Sequence, residues 1–173
     1  MSALLKRIQR KDSDILLLFN NSIKCRPLDL IMPGITYIGS LTFCVTYCLV
    51  CYFVSSDIIR SLGIKTAFSL IIATITAHFI KITVNRIRPF LILTNLNIKK
   101  IGIDNYSFPS GHTTSAFCIA VMLSLYFPIS TPILITLACS VGISRMYLGV
   151  HYPTDVLVGM VLGTICSYLV FFF

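Results

Sequence analysis

Negative charge is scarce in this sequence: glutamate is absent, and all six acidic residues are aspartates. Divalent cations such as Mg²⁺ and Ca²⁺ are held mainly by carboxylate oxygens. Asp155 is the only acid in the three motif-bearing segments described below, so no carboxylate cluster is available there. We therefore expect a site without metal ligands and a function that needs no cofactor.

Charge of either sign is sparse. Charged residues make up 12% of the chain, whereas a typical soluble domain has about 25%. Hydrophobic residues make up 56%, and the mean hydropathy is +0.89. This composition is typical of an integral membrane protein. The length of 173 residues allows one compact bundle, so we expect a single domain over residues 1–173.

The charges that are present are mostly basic, with 14 Lys and Arg residues and a net charge of +8. In a membrane protein, such an excess can bind anionic lipid headgroups or an anionic substrate. Headgroup binding alone does not explain it, because several of these residues lie far from the chain ends. The expected partners at this point are the bilayer and an anionic ligand, and no nucleic acid.

The seven cysteines show no paired C-x-x-C motifs and no spacing typical of a metal site. Cys44, Cys48 and Cys51 would share one face of a helix, which resembles a metal pattern only superficially. Because a buried cysteine behaves as a small hydrophobic residue, packing is the favoured interpretation.

Five apolar stretches predict membrane-spanning helices, at about 30–55, 63–86, 112–128, 131–149 and 154–173. Each is close to the roughly 20 residues that a spanning helix needs. The third stretch is short, so its helix could also include part of the preceding loop. Connections are brief apart from the loop at 87–111, so we expect an all-α bundle of antiparallel neighbours over 30–173.

The first 29 residues combine apolar and basic side chains, and the run Ile15–Phe19 is too short for the core of a signal peptide. Their pattern predicts an amphipathic helix lying in the membrane interface over 1–29. A disordered basic tail is the alternative.

A G-x-x-x-G motif in the last stretch, Gly159 and Gly163, permits close helix approach. It predicts either packing within the bundle, which is favoured, or the face of a homodimer.

Ionisable residues inside apolar stretches are costly and mark candidate functional sites. The segment KITVNRIRP at 81–89 places Lys81 and Arg88 two helical turns apart, on one face. Pro89 then ends the helix. Arg86, between them, could contact the site or snorkel to the interface, and snorkelling is the favoured interpretation.

A second segment, Pro109-Ser110-Gly111-His112, stands at the start of an apolar helix. Gly111 lets the backbone approach a bound group closely. The N–H groups of the first turn and the helix dipole favour an anion at that point. The segment therefore predicts an anion-binding helix N-terminus with a titratable histidine beside it.

The third segment, SRMYLGVHYPTD at 144–155, contains Arg145, His151 and Asp155. Asp155 is close enough in sequence to accept a hydrogen bond from one nitrogen of His151, which leaves the other nitrogen nucleophilic. If the spans alternate in direction, all three segments meet at one membrane surface. Tyr147 and Tyr152 are interpreted as interfacial anchors.

In this order, the three patterns K-x6-R-P, P-S-G-H and S-R-x5-H-x3-D resemble the type-2 phosphatidic acid phosphatase superfamily. That superfamily includes lipid phosphatases, bacterial polyprenyl diphosphate phosphatases and vanadium haloperoxidases. The resemblance covers about residues 78–160, and no motif position departs from the pattern.

The resemblance implies that Lys81, Arg88 and Arg145 bind phosphate oxygens. It also implies that Ser110 and Gly111 contribute a hydroxyl group and backbone donors. Fixed cations of this kind can supply the charge stabilisation that phosphoryl transfer needs.

The catalytic roles implied by the resemblance fall on three residues. His151 would attack phosphorus and form a phosphohistidine, Asp155 would orient His151, and His112 would protonate the leaving oxygen. A bell-shaped pH profile follows, because His151 must be neutral and His112 protonated.

A short five-span chain is similar to the small bacterial undecaprenyl diphosphate phosphatases, which recycle the carrier lipid of cell-wall synthesis. We therefore expect hydrolysis of undecaprenyl diphosphate to the monophosphate and phosphate. A glycerolipid phosphatase acting on phosphatidate or phosphatidylglycerophosphate is the alternative. A non-enzymatic anion or lipid transporter is less favoured, because it needs no nucleophile. A haloperoxidase does not suit five spans, and a purely structural ion network does not explain three ordered motifs.

The orientation of the site is predicted differently by two arguments. Basic residues of the N-terminal segment lie at the site end of the spans, so the positive-inside rule places the site in the cytoplasm. The resemblance to carrier-lipid phosphatases places it on the extracytoplasmic face of the cell membrane. We adopt the second as the expectation.

Overall fold

The computed structural model of the chain describes residues 3–98 and 106–173, and this part is built from α-helices. In chain order they are α1 (Ala3–Ser22), α2 (Arg26–Tyr37), α3 (Leu41–Phe53), α4 (Asp57–Val84), α5 (Pro89–Ile92), α6 (Gly111–Tyr126), α7 (Thr131–Tyr147) and α8 (Pro153–Phe172). A short 3₁₀ helix, Pro128–Ser130, precedes α7. An isolated bridge between Ile87 and Tyr106 is the only β-pairing among the described residues. The predicted all-α bundle is confirmed.

Three helical segments are long and apolar enough to cross a membrane: α4, the segment 128–147 that contains α7, and α8. The pair α2 and α3 also qualifies as one span, but it bends by 51°. With 16 residues, α6 is shorter than a span. The structure thus has up to four spanning segments by length and composition, and α6 packs among them.

The first predicted span, about 30–55, is two helices rather than one. It begins earlier, at Arg26, with a proline in the first turn. Ser40 then starts α3 as a helix cap, since its side chain accepts a hydrogen bond from Phe43 N at 3.2 Å. The bend places Gly39 directly against the backbone of His112, where a Cβ atom would clash. The break in the helix therefore lies against a predicted site residue.

The central helix of the bundle is α6, with nine of its 16 residues buried. It packs against α4, α7 and α8. It begins at Gly111, immediately after the Pro109-Ser110 turn, so the suggested extension into the preceding loop is wrong. A central position explains why a short helix is stable here: its neighbours cover it, and it does not have to reach both membrane surfaces by itself.

The N-terminal segment forms a helix over Ala3–Ser22, so the alternative of a disordered tail is wrong. Its buried face carries two polar side chains, Asp12 and Asn20, around Leu16. Asn20 Nδ2 donates to Tyr147 O at 2.7 Å, and Asn20 Oδ1 accepts from Asn97 N at 2.9 Å. The helix is therefore held to the end of the bundle where α7 ends. Its position in the membrane interface stays a prediction.

The G-x-x-x-G motif of α8 faces α6. A Cβ at Gly159 would lie 2.8 Å from Ser110 O, and a Cβ at Gly163 would lie 2.9 Å from Phe117 Cβ. Both contacts are too close for a larger residue, so these glycines let α8 approach α6. The interpretation as packing within the bundle is confirmed. A homodimer stays a prediction, and it would need another surface.

Candidate active site

Two buried arginines and a buried histidine lie together at one end of the bundle. Arg88, which precedes α5, is 3% exposed, Arg145 near the end of α7 is 2% exposed, and His151 before α8 is 2% exposed. Arg88 Nη1 donates to Val150 O at 2.9 Å and lies 3.1 Å from His151 Nε2. Charged groups are almost never this buried without compensation, so their clustering marks a site for an anion.

The contact between Arg88 and His151 identifies the tautomer. A guanidinium group can only donate hydrogen bonds, so His151 Nε2 is the unprotonated nitrogen in this arrangement. The proton is then on Nδ1, which lies 3.5 Å from Asp155 Oδ2. That distance is within ion-pairing range but does not meet hydrogen-bond geometry. Such contacts are often long before substrate binds. The lone pair of Nε2 faces the cations.

Arg145 has little protein around it to balance its charge. Its Nη1 donates to Thr36 Oγ1 at 2.9 Å, and its Nε has no hydrogen-bond partner among the described residues. A buried cation held by one neutral hydroxyl is costly to the fold. This arrangement is suited to an anionic ligand that supplies the missing charge.

His112 occupies the first turn of α6 and is partly buried. Its electrostatic neighbours are Arg145, His151, Arg88 and Lys81. The structure therefore brings together residues from α4, the α4–α5 connection, α6, α7 and the α7–α8 connection, as the three sequence segments predict.

Ser110 and Gly111 contribute differently to the turn before α6. The Ser110 hydroxyl lies 2.8 Å from Thr113 Oγ1, and Ser110 N donates to Asp155 O at 3.0 Å. Ser110 therefore ties α6 to α8, and its side chain does not cap α6. The uncapped N–H groups of the first turn of α6 remain as donors for an anion.

Gly111 is not required by packing, since a Cβ there would meet nothing within 4 Å. We expect Gly111→Ala to leave thermal stability unchanged or higher, because alanine is the better helix former by about 1 kcal/mol. We expect kcat/KM to fall at least about tenfold, because the methyl group enters the space that a bound phosphate would approach, and tenfold corresponds to about 1.4 kcal/mol. Phosphate release and thermal unfolding of the purified variant measure the two effects.

The comparison variant for this prediction is Gly149→Ala. Gly149 has φ +71°, and a Cβ there would lie 2.8 Å from Leu96 Cδ2. That variant should lose stability. A Gly111→Ala protein with full activity would show that close approach at this position is unimportant.

The environment of His151 favours its neutral form. Burial first, and then the charges of Arg145 and Arg88, lower the pKa of His151 to about 4 against the opposing effect of Asp155. At neutral pH the imidazole is therefore uncharged, which is the form that the expected role as nucleophile requires.

Arg86 is part of the site, so the interpretation that it snorkels to the interface is wrong. Its side chain is 11% exposed and forms ion pairs with Asp155 at 2.7 Å and Asp12 at 2.6 Å. Asp12 was not predicted as a site residue, because it stands in an N-terminal segment without a motif. The available signal was a pair of acids, Asp12 and Asp14, in an otherwise basic segment.

Two further sequence interpretations are corrected by the structure. Tyr147 and Tyr152 are buried at 1% and 4% exposure, so they are not interfacial anchors. Tyr147 Oη lies 2.9 Å from Asp29 Oδ1, and the Tyr152 ring lies under the Arg86 guanidinium at 3.9 Å. Both side chains hold together the segments around the site.

A cavity of about 810 Å³ lies beside Arg86. Its walls come from α1, the end of α4, the α4–α5 connection, Phe108 and Tyr152, and they are mostly apolar. Arg88, Arg145 and His151 do not line it, so it is separate from the cationic cluster.

The PAP2 superfamily pattern matches residues 62–173 of this chain. The chain belongs to the PAP2 superfamily. The matched region contains every residue of the cationic cluster, including Lys81, Arg88, His112, Arg145 and His151.

The chain is similar to several curated relatives and to solved structures. It is 35% identical over 113 residues to the bacitracin transport permease protein BcrC of Bacillus licheniformis, covering 65% of this chain and 55% of that protein. It is 36% identical over 111 residues to the undecaprenyl-diphosphatase of Sulfolobus acidocaldarius, covering 64% of this chain and 54% of that protein. The chain thus spans about half the length of these relatives.

The structural comparison covers almost the whole fold. The transmembrane PAP2-type phosphatidylglycerolphosphate phosphatase of Bacillus subtilis superimposes with a TM-score of 0.76 and 26% sequence identity. The match covers 98% of this chain and 85% of that chain. Membership of the PAP2 superfamily therefore extends to a shared multi-pass helical architecture.

Proposed function

We propose that this PAP2 protein is a membrane lipid phosphatase that works through a phosphohistidine on His151. The observation that carries the proposal is the arrangement around His151: Nε2 faces Arg88 at 3.1 Å, and Asp155 lies behind Nδ1 at 3.5 Å. A nucleophilic nitrogen, a carboxylate behind it and fixed cations in front are the parts that phosphoryl transfer needs.

In the first step, a substrate phosphate binds the guanidinium groups of Arg88 and Arg145. Arg88 then no longer donates to His151, so the Nε2 lone pair of His151 becomes free. Nε2 bonds to phosphorus while the bond from phosphorus to the leaving oxygen breaks. His112 gives its proton to that oxygen. Asp155 stabilises the Nδ1–H of the imidazole as it becomes positive.

The second step releases phosphate. A water attacks phosphorus and passes a proton to His112, and the phosphorus–nitrogen bond breaks, with its electron pair returning to Nε2. Lys81 and the first-turn N–H groups of α6 balance the charge on the phosphoryl oxygens in both steps. The second step thus restores the proton of His112 and the lone pair of His151 Nε2, so the cycle needs no metal or cofactor.

The proposed substrate is undecaprenyl diphosphate, converted to the monophosphate and phosphate. The name of the Sulfolobus relative and the similarity to small carrier-lipid phosphatases support it. Phosphatidate or phosphatidylglycerophosphate is the alternative, supported by the name of the Bacillus subtilis structure. We assign the whole chain to one membrane phosphatase domain.

Phosphate release from the detergent-purified protein, with EDTA present, tests the proposal. Undecaprenyl diphosphate, phosphatidate and phosphatidylglycerophosphate are compared, with His151→Ala as the blank. Release from one lipid that is lost in the variant identifies the substrate class. Transport is the second candidate, because one relative is named a transport permease. Lipid or anion movement that persists in His151→Ala, without phosphate release, would favour it.

The pH dependence of kcat/KM is the next expected result. Since burial and the neighbouring arginines lower the pKa of His151 to about 4, the neutral form persists as the pH falls from 7 and is lost only near pH 4. The acid limb should lie below pH 5 after correction for ionisation of the substrate phosphate. An acid limb near pH 6.5 would contradict the buried position of the nucleophile.

We propose that the site faces the extracytoplasmic side, and Cys25 provides the test. Cys25 is exposed, and its carbonyl oxygen lies 3.1 Å from Tyr147 Oη at the site end of the bundle. A membrane-impermeant maleimide should label intact cells at Cys25 and leave Cys25→Ser unlabelled. Asp57→Cys, made in Cys25→Ser, puts a thiol at the opposite end of α4 and should need permeabilised cells. The reverse pattern would place the site in the cytoplasm.

A further inference from the structure

Arg86 lies between two buried carboxylates from opposite ends of the sequence. Its Nη1 is 2.7 Å from Asp155 Oδ1, and its Nη2 is 2.6 Å from Asp12 Oδ2. The Asp12 and Asp155 side chains are 2% and 0% exposed. Ion pairs buried to this degree are strong only where geometry and further hydrogen bonds are favourable.

The two oxygens of Asp155 have separate partners. Oδ1 accepts from Arg86, while Oδ2 accepts from Tyr152 N at 2.9 Å and faces His151 Nδ1. Two donors on different oxygens fix the plane of the carboxylate. Arg86 therefore determines how Asp155 is presented to His151.

Asp12 determines the net charge of the cluster behind His151. Arg86 alone would neutralise Asp155, leaving little negative charge to stabilise the imidazole as it becomes positive. With Asp12 present, two carboxylates share one guanidinium, and one net negative charge remains behind His151. The proposed phosphohistidine needs such a charge.

We propose that Asp12 and Arg86 are positioning residues for His151, and that α1 is thereby a working part of the active site. This inference rests on the proposed function of His151. Arg86 orients Asp155, and Asp12 keeps the pair Arg86–Asp155 from becoming neutral. Neither residue touches the substrate.

Other contacts join the same residues to the rest of the site. Asp12 Oδ1 accepts from Thr154 N at 3.1 Å in the first turn of α8. The carbonyl oxygen of Arg86 accepts from Ser107 N at 2.8 Å in the segment that leads to α6. A change in the docking of α1 would therefore reach both catalytic segments.

The charged groups that face His151 directly remain the same in the test variants. They are Arg88 from the α4–α5 connection, Arg145 from α7, Asp155 from α8 and His112 from α6. A shift in the titration of His151 can then be assigned to Asp12 and Arg86.

The experiment compares Asp12→Asn, the double variant Asp12→Asn/Arg86→Gln and Asp14→Asn. Asparagine keeps an oxygen for Thr154 N–H, and it removes the charge together with the second oxygen, which accepts from Arg86 Nη2 and from the Thr154 hydroxyl. Asp14 is exposed on the same helix and serves as the matched control. The readouts are kcat and KM for lipid hydrolysis, and the titration of His151 followed by NMR of labelled histidine. The sequence has only three histidines, so His78→Gln and His151→Ala assign the signals.

We expect Asp12→Asn to lower kcat by about 10- to 100-fold, as changes behind a catalytic ligand commonly do, with a smaller effect on KM. His151 should titrate at lower pH, because negative charge behind it is lost. In the double variant, Asp155 regains its net charge, so the titration should return towards that of the original protein. Its kcat should stay low, since Asp155 is no longer oriented.

Two results would overturn the inference. Asp12→Asn could behave like Asp14→Asn in both readouts, or the double variant could titrate no closer to the original protein than Asp12→Asn does. The second result is what a purely structural role predicts. If the original protein hydrolyses no lipid but the titrations shift as described, the proposed function fails, while the electrostatic coupling of Asp12 and Arg86 to His151 stands.

Discussion

Replacing His151 with alanine is expected to lower lipid hydrolysis by on the order of 10³-fold or more, since the proposed covalent intermediate forms on the His151 imidazole. Arg88 and Arg145 remain in the variant, so inorganic phosphate or vanadate should still raise its midpoint of thermal unfolding. Loss of hydrolysis with retention of anion binding separates the nucleophile from the binding site.

The matched control is His78→Ala. His78 is exposed on α4 and has no place in the cationic cluster, so activity should be unchanged. A His151→Ala protein that keeps more than a tenth of the original activity would refute the assignment of His151 as nucleophile.

Replacing Arg145 with methionine should abolish activity while leaving the fold as stable or more stable. The Arg145 side chain is buried, its Nε is without a partner, and only Thr36 accepts from it among the described residues. An apolar residue of similar volume at such a position is often neutral or stabilising. Loss of a cation that stabilises the transferring phosphoryl group commonly costs about 10²- to 10³-fold in kcat. Thermal unfolding and phosphate release of the purified variant measure both effects.

Arg88→Met is the informative comparison. Arg88 donates to Val150 O, and removing that donor leaves a buried carbonyl oxygen unsatisfied, at a cost of about 1–3 kcal/mol. Both variants should be inactive, but only Arg88→Met should lose stability. If Arg145→Met proves the less stable of the two, then Arg145 serves the fold rather than an anion.

The sequence predicted the candidate site residues that stand in short segments rich in charged and polar side chains. Lys81, Arg88, His112, Arg145 and His151 each stand at or near a helix end, and antiparallel spans bring such ends to one surface. The all-helical membrane fold followed from the composition and from the length and spacing of the apolar stretches. These predictions needed only local patterns and the length of a membrane span.

Long-range contacts were beyond those patterns. Asp12 meets Arg86 across 74 residues of sequence, and nothing near either residue indicates the pairing. The assignment of Arg86 to the interface failed for that reason. The bend before α3 was missed because a single glycine such as Gly39 is common in an apolar stretch. The structure shows that glycine is needed there because Gly39 lies against the His112 backbone.

Tyr147 and Tyr152 failed as interfacial anchors for a similar reason. Tyrosine near a helix end is common at a membrane interface. Here the α1 helix and the segment before α2 cover the site end of the bundle, so Tyr147 hydrogen-bonds within the protein and Tyr152 stacks on Arg86. Burial by a preceding helix cannot be read from the residues themselves.

The most direct test of the account is to trap the phosphoenzyme. Purified protein is mixed with a lipid diphosphate radiolabelled in its terminal phosphate, quenched within milliseconds and analysed for protein-bound label. A phosphohistidine intermediate predicts protein-bound label that is lost in acid and retained in base. The same label should be absent in His151→Ala. Rapid hydrolysis with no bound label at any quench time, or with label that persists in His151→Ala, would contradict it.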